Sequence, residues 1–80
     1  MNNSAKFRLQ GASARLFADR FKRALELRPY WKPVFYLKYY EEMTVAEIAV
    51  ALDLSETVVE AIARDVSKIA ETLKTDCAEV

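Results

Sequence analysis

The 80 residues are 52% apolar and 30% charged, with one glycine and two prolines, too apolar for a disordered tail and too poor in turn formers for an all-β chain. There is no histidine and one cysteine, Cys77, which removes His-based catalysis, histidine metal ligands and an internal disulfide. Net charge is zero, but residues 1–40 hold nine cations against two acids and residues 41–80 three against ten, so the halves carry +7 and −7.

Read in chain order, residues 1–12 form a frayed start from which Phe7 and Leu9 could fold back onto a core. Gly11 breaks the pattern, and Ser13 is the expected N-cap of a helix running to Arg28. Leu16, Phe17, Phe21, Ala24 and Leu25 make its apolar stripe. Pro29 ends that helix, because the residue before a proline is pushed out of the α region. A second helix is expected from Tyr30 or Trp31 to Glu42, with Pro33 in the first turn, where a missing N–H costs nothing. Thr44 and Glu47 have the spacing of a capping box, opening a short helix over Val45–Leu52. Asp53 and Leu54 make the turn, and Ser55 caps a fourth helix reaching about Lys74, with Glu56 near its positive end. The expected fold is an all-α, four-helix domain over residues 13–75, with a helix-turn-helix at 44–74.

The stretch from Lys32 to Val59 resembles region four of bacterial sigma factors without a gap. Tyr39, Glu41, Thr44, Glu47, Ile48, Ala49, Leu52, Leu54, Ser55 and Val59 stand in the family's register. The match covers roughly residues 24–73. Its Glu-Ile-Ala-x-x-Leu core is shared by many helix-turn-helix families, so it specifies the fold better than the function. The resemblance implies that the fourth helix is the one that enters the DNA major groove. Glu56, Thr57, Glu60, Ala61 and Arg64 occupy its recognition surface. Glu60 stands where the family usually has Lys or Arg, Ile62 where a polar residue is usual, and Asp53 where the turn glycine is usual. Within these 80 residues the separate region with which a sigma factor binds promoter and polymerase is not expected.

Physical spacing supports the fold part separately. Ile48, Leu52, Leu54 and Val59 are placed to fill the angle between two short helices, and Ala49 is small where they must approach. Six aromatics, Tyr30, Trp31, Phe35, Tyr36, Tyr39 and Tyr40, crowd into eleven residues. Interleaved with cations they could stack on single-stranded bases, but core packing of a small helical domain is the expectation.

Three surfaces follow as candidates. The first is the acidic recognition surface just named, which would repel phosphates and so favours protein contacts: RNA polymerase, a regulator that binds sigma factors, or a second copy. The second is a basic face of Arg15, Arg20, Lys22, Arg23, Lys32 and Lys38, through which a conventional regulator would hold duplex DNA. The third is the stripe Val59, Ile62, Val66, Ile69 and Leu73, whose +3, +4 recurrence suits either the chain's own core or a homodimer seam. In a dimer, a carboxylate at Ile62 or Ile69 should break the pairing and leave the helices intact. A structural or assembly adaptor that kept the fold and lost the function is a further reading. No catalytic residue, cofactor, metal or membrane association is expected. A chain with one cysteine and no apolar leader is expected in the cytoplasm.

Overall fold

The computed structural model describes residues 11–78. Among them stand four α-helices and no strand: α1 (Ala12–Leu27), α2 (Trp31–Tyr39), α3 (Val45–Leu52) and α4 (Glu56–Ala78). The segment expected to fray lies outside the described residues except for Gly11 and Ala12, and Ala12 is already helical. Helix α4 is the hub, packing against each of the other three.

The N-cap of α1 lies two residues before the expected one. Gly11 takes the N-cap position with a positive φ of 58°, its carbonyl accepts from the Arg15 N–H, and Ser13 lies inside the first turn without capping it. A backbone reversal at a residue lacking Cβ sets this start without any side-chain cap. At the other end Arg28 is extended (φ −121°, ψ 141°), as a residue preceding proline should be, so α1 stops at Leu27. Pro33 does lie in the first turn of α2. That helix ends at Tyr39, three residues short of the expected Glu42. The Tyr40 and Glu41 N–H groups both turn back to the Tyr36 carbonyl, and Glu42 adopts a left-handed φ of 56°.

The α3–α4 end follows the sequence closely. Thr44 Oγ1 accepts from the Glu47 N–H at 3.1 Å, and the Thr44 N–H donates to Glu47 Oε1 at 2.8 Å, completing the capping box. Asp53 turns left-handed (φ 58°, ψ 47°); its N–H reaches the Val50 carbonyl, and the Leu54 N–H donates to the Ala49 carbonyl at 2.9 Å. These two bonds satisfy carbonyls that the end of α3 would otherwise leave open. Ser55 Oγ then accepts from the Val58 N–H at 3.2 Å and caps α4. Three residues therefore separate the two helices. Helix α4 continues past the expected Lys74 to Ala78: the intervening Thr75, Asp76 and Cys77 include no Gly or Pro to break it.

Two buried clusters hold the helices together. Val34, Ile48, Ala49, Val59 and Ala63 form an aliphatic one at the α2–α3–α4 junction, with Leu52 and Leu54 packed against it. Phe21, Leu25, Trp31 and Val66 form an aromatic-rich one between α1, α2 and α4. Ile62 touches both. The residues expected to fill the angle between the short helices do so, Ile48 and Val59 being fully enclosed.

Candidate functional site

Helix α4 turns about 100° per residue, and its inward side is set by Val59, Ala63, Val66 and Cys77, all buried. Its exposed side near the start carries Glu56, Thr57, Glu60 and Arg64, with Ala61 half-buried at the margin. The structure thus brings the five expected surface residues onto one continuous face. Glu56 and Glu60 lie one turn apart on it, and Arg64 follows one turn later. Glu47 is held by its capping box at the start of α3. Val50 (83% exposed) adds apolar surface beside Glu56, and Ala46, Val50, Asp53 and Glu56 border a shallow groove between α3 and the start of α4; Val58 is exposed too, but about 160° round α4 from both Glu56 and Glu60. Val50 escaped the sequence reading, yet its phase was informative: it sits about 150° round α3 from the mean direction of Val45, Ile48, Ala49 and Leu52.

The stripe of five on α4 is largely used within the chain. Val59 and Val66 are enclosed and offer nothing to a second copy. Ile62, Ile69 and Leu73 are half-buried against the same clusters. A carboxylate at Ile62 or Ile69 would therefore strike the chain's own core, and would not separate pairing from folding.

The six basic residues do not converge. Arg15, Arg20, Lys22, Arg23 and Lys32 are exposed and Lys38 half-buried. On α1, Arg15 and Lys22 are seven residues apart and share a flank, whereas Arg20 lies about 200° round the helix from Lys22. Asp19 and Glu26 interrupt the array: Arg23 meets Asp19 at 3.5 Å and Lys32 meets Glu26 at 3.8 Å. The cations ring the solvent side of α1 and α2, and no single basic face is formed.

The aromatic segment departs most from expectation. Trp31 is buried, with the Arg28 guanidinium 5.5 Å from its ring centre, and Phe35 is half-buried. Tyr30, Tyr36, Tyr39 and Tyr40 are exposed, so core packing accounts for only two of the six. The four outside are the tyrosines, whose hydroxyls keep water or a polar partner. Tyr39 Oη lies 3.0 Å from Ser67 Oγ and ties α2 to α4. Rings run in sequence from Phe17 to Phe21 (5.5 Å), Phe21 to Phe35 (5.0 Å) and Phe35 to Tyr39 (5.2 Å). Phe17, Phe21, Phe35 and Tyr39 line a groove of about 340 Å³ between α1, α2 and α4, floored by Val66 and Ala70 and edged by Ser67 and Glu71.

Among the described residues no group of three or more His, Cys, Asp or Glu is placed to hold a metal ion, and no helix is long and apolar enough to cross a membrane. No protein-family model, curated protein or solved structure matches the chain.

Proposed function

We propose that the chain is a small helix-turn-helix module of transcription regulation, similar to region four of sigma factors, that works at least in part through protein contacts. The α3–turn–α4 unit, closed by the Thr44–Glu47 box, the left-handed Asp53 and the Ser55 cap, supports the helix-turn-helix reading. The observation that carries the protein-contact reading is the placement of Glu56 and Glu60 on the exposed face of α4, where a DNA-reading helix would meet the groove. Duplex DNA carries a negative charge every ~1.7 Å, and two carboxylates one turn apart oppose it. With Val50 exposed beside Glu56, the surface is acidic and partly apolar, suited to a basic, partly apolar protein surface. RNA polymerase, a sigma-binding regulator and a second copy are the partner classes.

The test is binding to purified bacterial RNA polymerase by biolayer interferometry, with solution mass by light scattering alongside. Saturable polymerase binding that falls at least about tenfold in the Glu56→Lys, Glu60→Lys variant is the expected result; tenfold corresponds to ~1.4 kcal/mol. A protein that stays monomeric at ~100 μM, where micromolar pairing would show, and that does not bind polymerase would remove both partners named first and last.

A further inference from the structure

Helix α2 packs against α1, α3 and α4, yet one side of it is left to solvent. By helical phase Tyr36 points about 170° from the mean direction of the buried Trp31 and Val34, with Lys32, Pro33 and Tyr40 within about 60° of it. All four are exposed, Tyr36 to 51% and Tyr40 to 69%. The two tyrosine rings stack at 5.3 Å, and Tyr40 meets Phe35 edge-on at 6.0 Å, which anchors the pair. Tyr39 leans the other way, towards Ser67 and its α4 neighbours Arg64 and Lys68. Charge changes sign along the outer face. Its start carries Lys32, just after Arg28, with Glu26 as the only acid beside them. Its end carries Glu41 and Glu42, both exposed and neither in an ion pair among the described residues. No Lys or Arg occurs from Tyr39 to Ala63, and Lys38 is half-buried on the inward side of α2.

We infer that the outer face of α2 pairs with the same face of a second copy, the two helices antiparallel about a two-fold axis beside Tyr36. Lys32 and Glu41 lie roughly 13 Å apart along the helix direction, with Tyr36 near the midpoint. The antiparallel arrangement therefore sets Lys32 against the partner's Glu41 at both ends at once. It also sets Pro33 against the partner's Tyr40 and brings the Tyr36 rings together at the centre. A parallel copy, or a partner of uniform charge, would meet like charge at one end. Because the same patch is used on both chains, the assembly closes as a dimer. The Lys32–Glu26 pair is exposed and 3.8 Å long, so it contributes little and leaves Lys32 available. The two rings leave roughly 250 Å² open, taking ~200 Å² per tyrosine side chain. Two such faces bury less than the ~1,200 Å² of a standard stable interface, so the dimer is weak. This surface is separate from the Glu56–Glu60 face, and the inference goes beyond the reading above.

The experiment is sedimentation velocity of the full chain from ~20 μM to ~1 mM, a range that captures pairing at several hundred micromolar. The dimer fraction should grow with concentration, and the Lys32, Tyr36 and Tyr40 amide shifts should move with it. Lys32→Glu, and separately Glu41→Lys, Glu42→Lys, should each weaken pairing at least about tenfold, because the contacts at both ends turn repulsive together. An equimolar mixture of these two variants should pair as the wild type does, since opposite charges again face each other at both ends. Mixing would not rescue a variant that had failed to fold. Tyr40→Ser should weaken pairing roughly tenfold, as expected for an interface tyrosine, with an unchanged circular dichroism spectrum. Glu56→Lys, Glu60→Lys should leave pairing intact, so this experiment and the polymerase experiment can fail separately. A chain that stays monomeric throughout, charge variants that pair like the wild type, or a mixture that stays monomeric would each overturn the assignment. So would an oligothymidylate of ~10 nucleotides that shifts the Tyr36 and Tyr40 amides of a strictly monomeric chain, which would make the face a base-stacking platform.

Discussion

At the α3–α4 end both helix starts are closed by side chains, Thr44 and Ser55, and the buried cluster is aliphatic. At the α1–α2 end neither helix start has a side-chain cap, Tyr30 is held left-handed at φ 67°, and the buried cluster is built on Phe21 and Trp31. One end is specified by local hydrogen bonding that short sequence motifs encode. The other is specified by what large side chains bury against α4, with the local backbone following. The contrast predicts different responses to mutation at the two ends.

The largest effects belong to the clusters. Trp31→Ala should cost about 3–5 kcal/mol and Ile48→Ala about 2–5 kcal/mol, a large share of the 5–15 kcal/mol that stabilises a typical domain. Urea unfolding measures both. If the two ends depend on one another through Ile62, each loss should appear as a single cooperative transition; two separate transitions would mean that the ends fold independently.

Next come the caps, which sharpen the comparison. Thr44→Ala should cost about 1 kcal/mol, while Ser13→Ala, in a first turn where Ser13 caps nothing, should cost no more than a few tenths. Equal losses would erase the distinction between the ends. A smaller effect of opposite sign is expected at the turn. Asp53→Gly should raise stability by roughly 0.5–1 kcal/mol, because the left-handed conformation strains a residue with a Cβ. A change of similar size is expected for Tyr39→Phe. It removes an exposed hydroxyl contact to Ser67 and should cost no more than about 0.5–1 kcal/mol while leaving the ring in the groove.

The same contrast decides how much was legible in the sequence. The Thr44–Glu47 box, the Asp53 turn and the Ser55 cap lie within three or four residues of their partners, so spacing alone reveals them. The starts and ends of the other helices depend on less local events. Gly11 takes the cap expected of Ser13 through a backbone reversal, and α2 closes early through Glu41 and Glu42, neither a residue that signals a stop. Of the surfaces, the face of Glu56, Thr57, Glu60, Ala61 and Arg64 was readable because one helix carries all of it. The groove was not, since Phe17, Phe35 and Ser67 come together only through the packing of three helices. Clustering in sequence likewise made Arg15 to Lys38 look like one basic surface, although helical phase spreads them round α1 and α2.

The proposed use of the exposed face of α4 for protein contact, and not for reading DNA, can be checked by duplex binding as a function of salt. Fluorescence anisotropy with a labelled mixed-sequence duplex should show negligible affinity for the wild-type chain at ~150 mM salt. Glu56→Lys, Glu60→Lys should then gain nonspecific affinity, with the slope of log affinity against log salt steepened by up to about two units, one for each new phosphate contact. The contradicting result is tight, sequence-selective binding of a defined duplex by the unmodified chain that is lost on Thr57→Ala or Arg64→Ala.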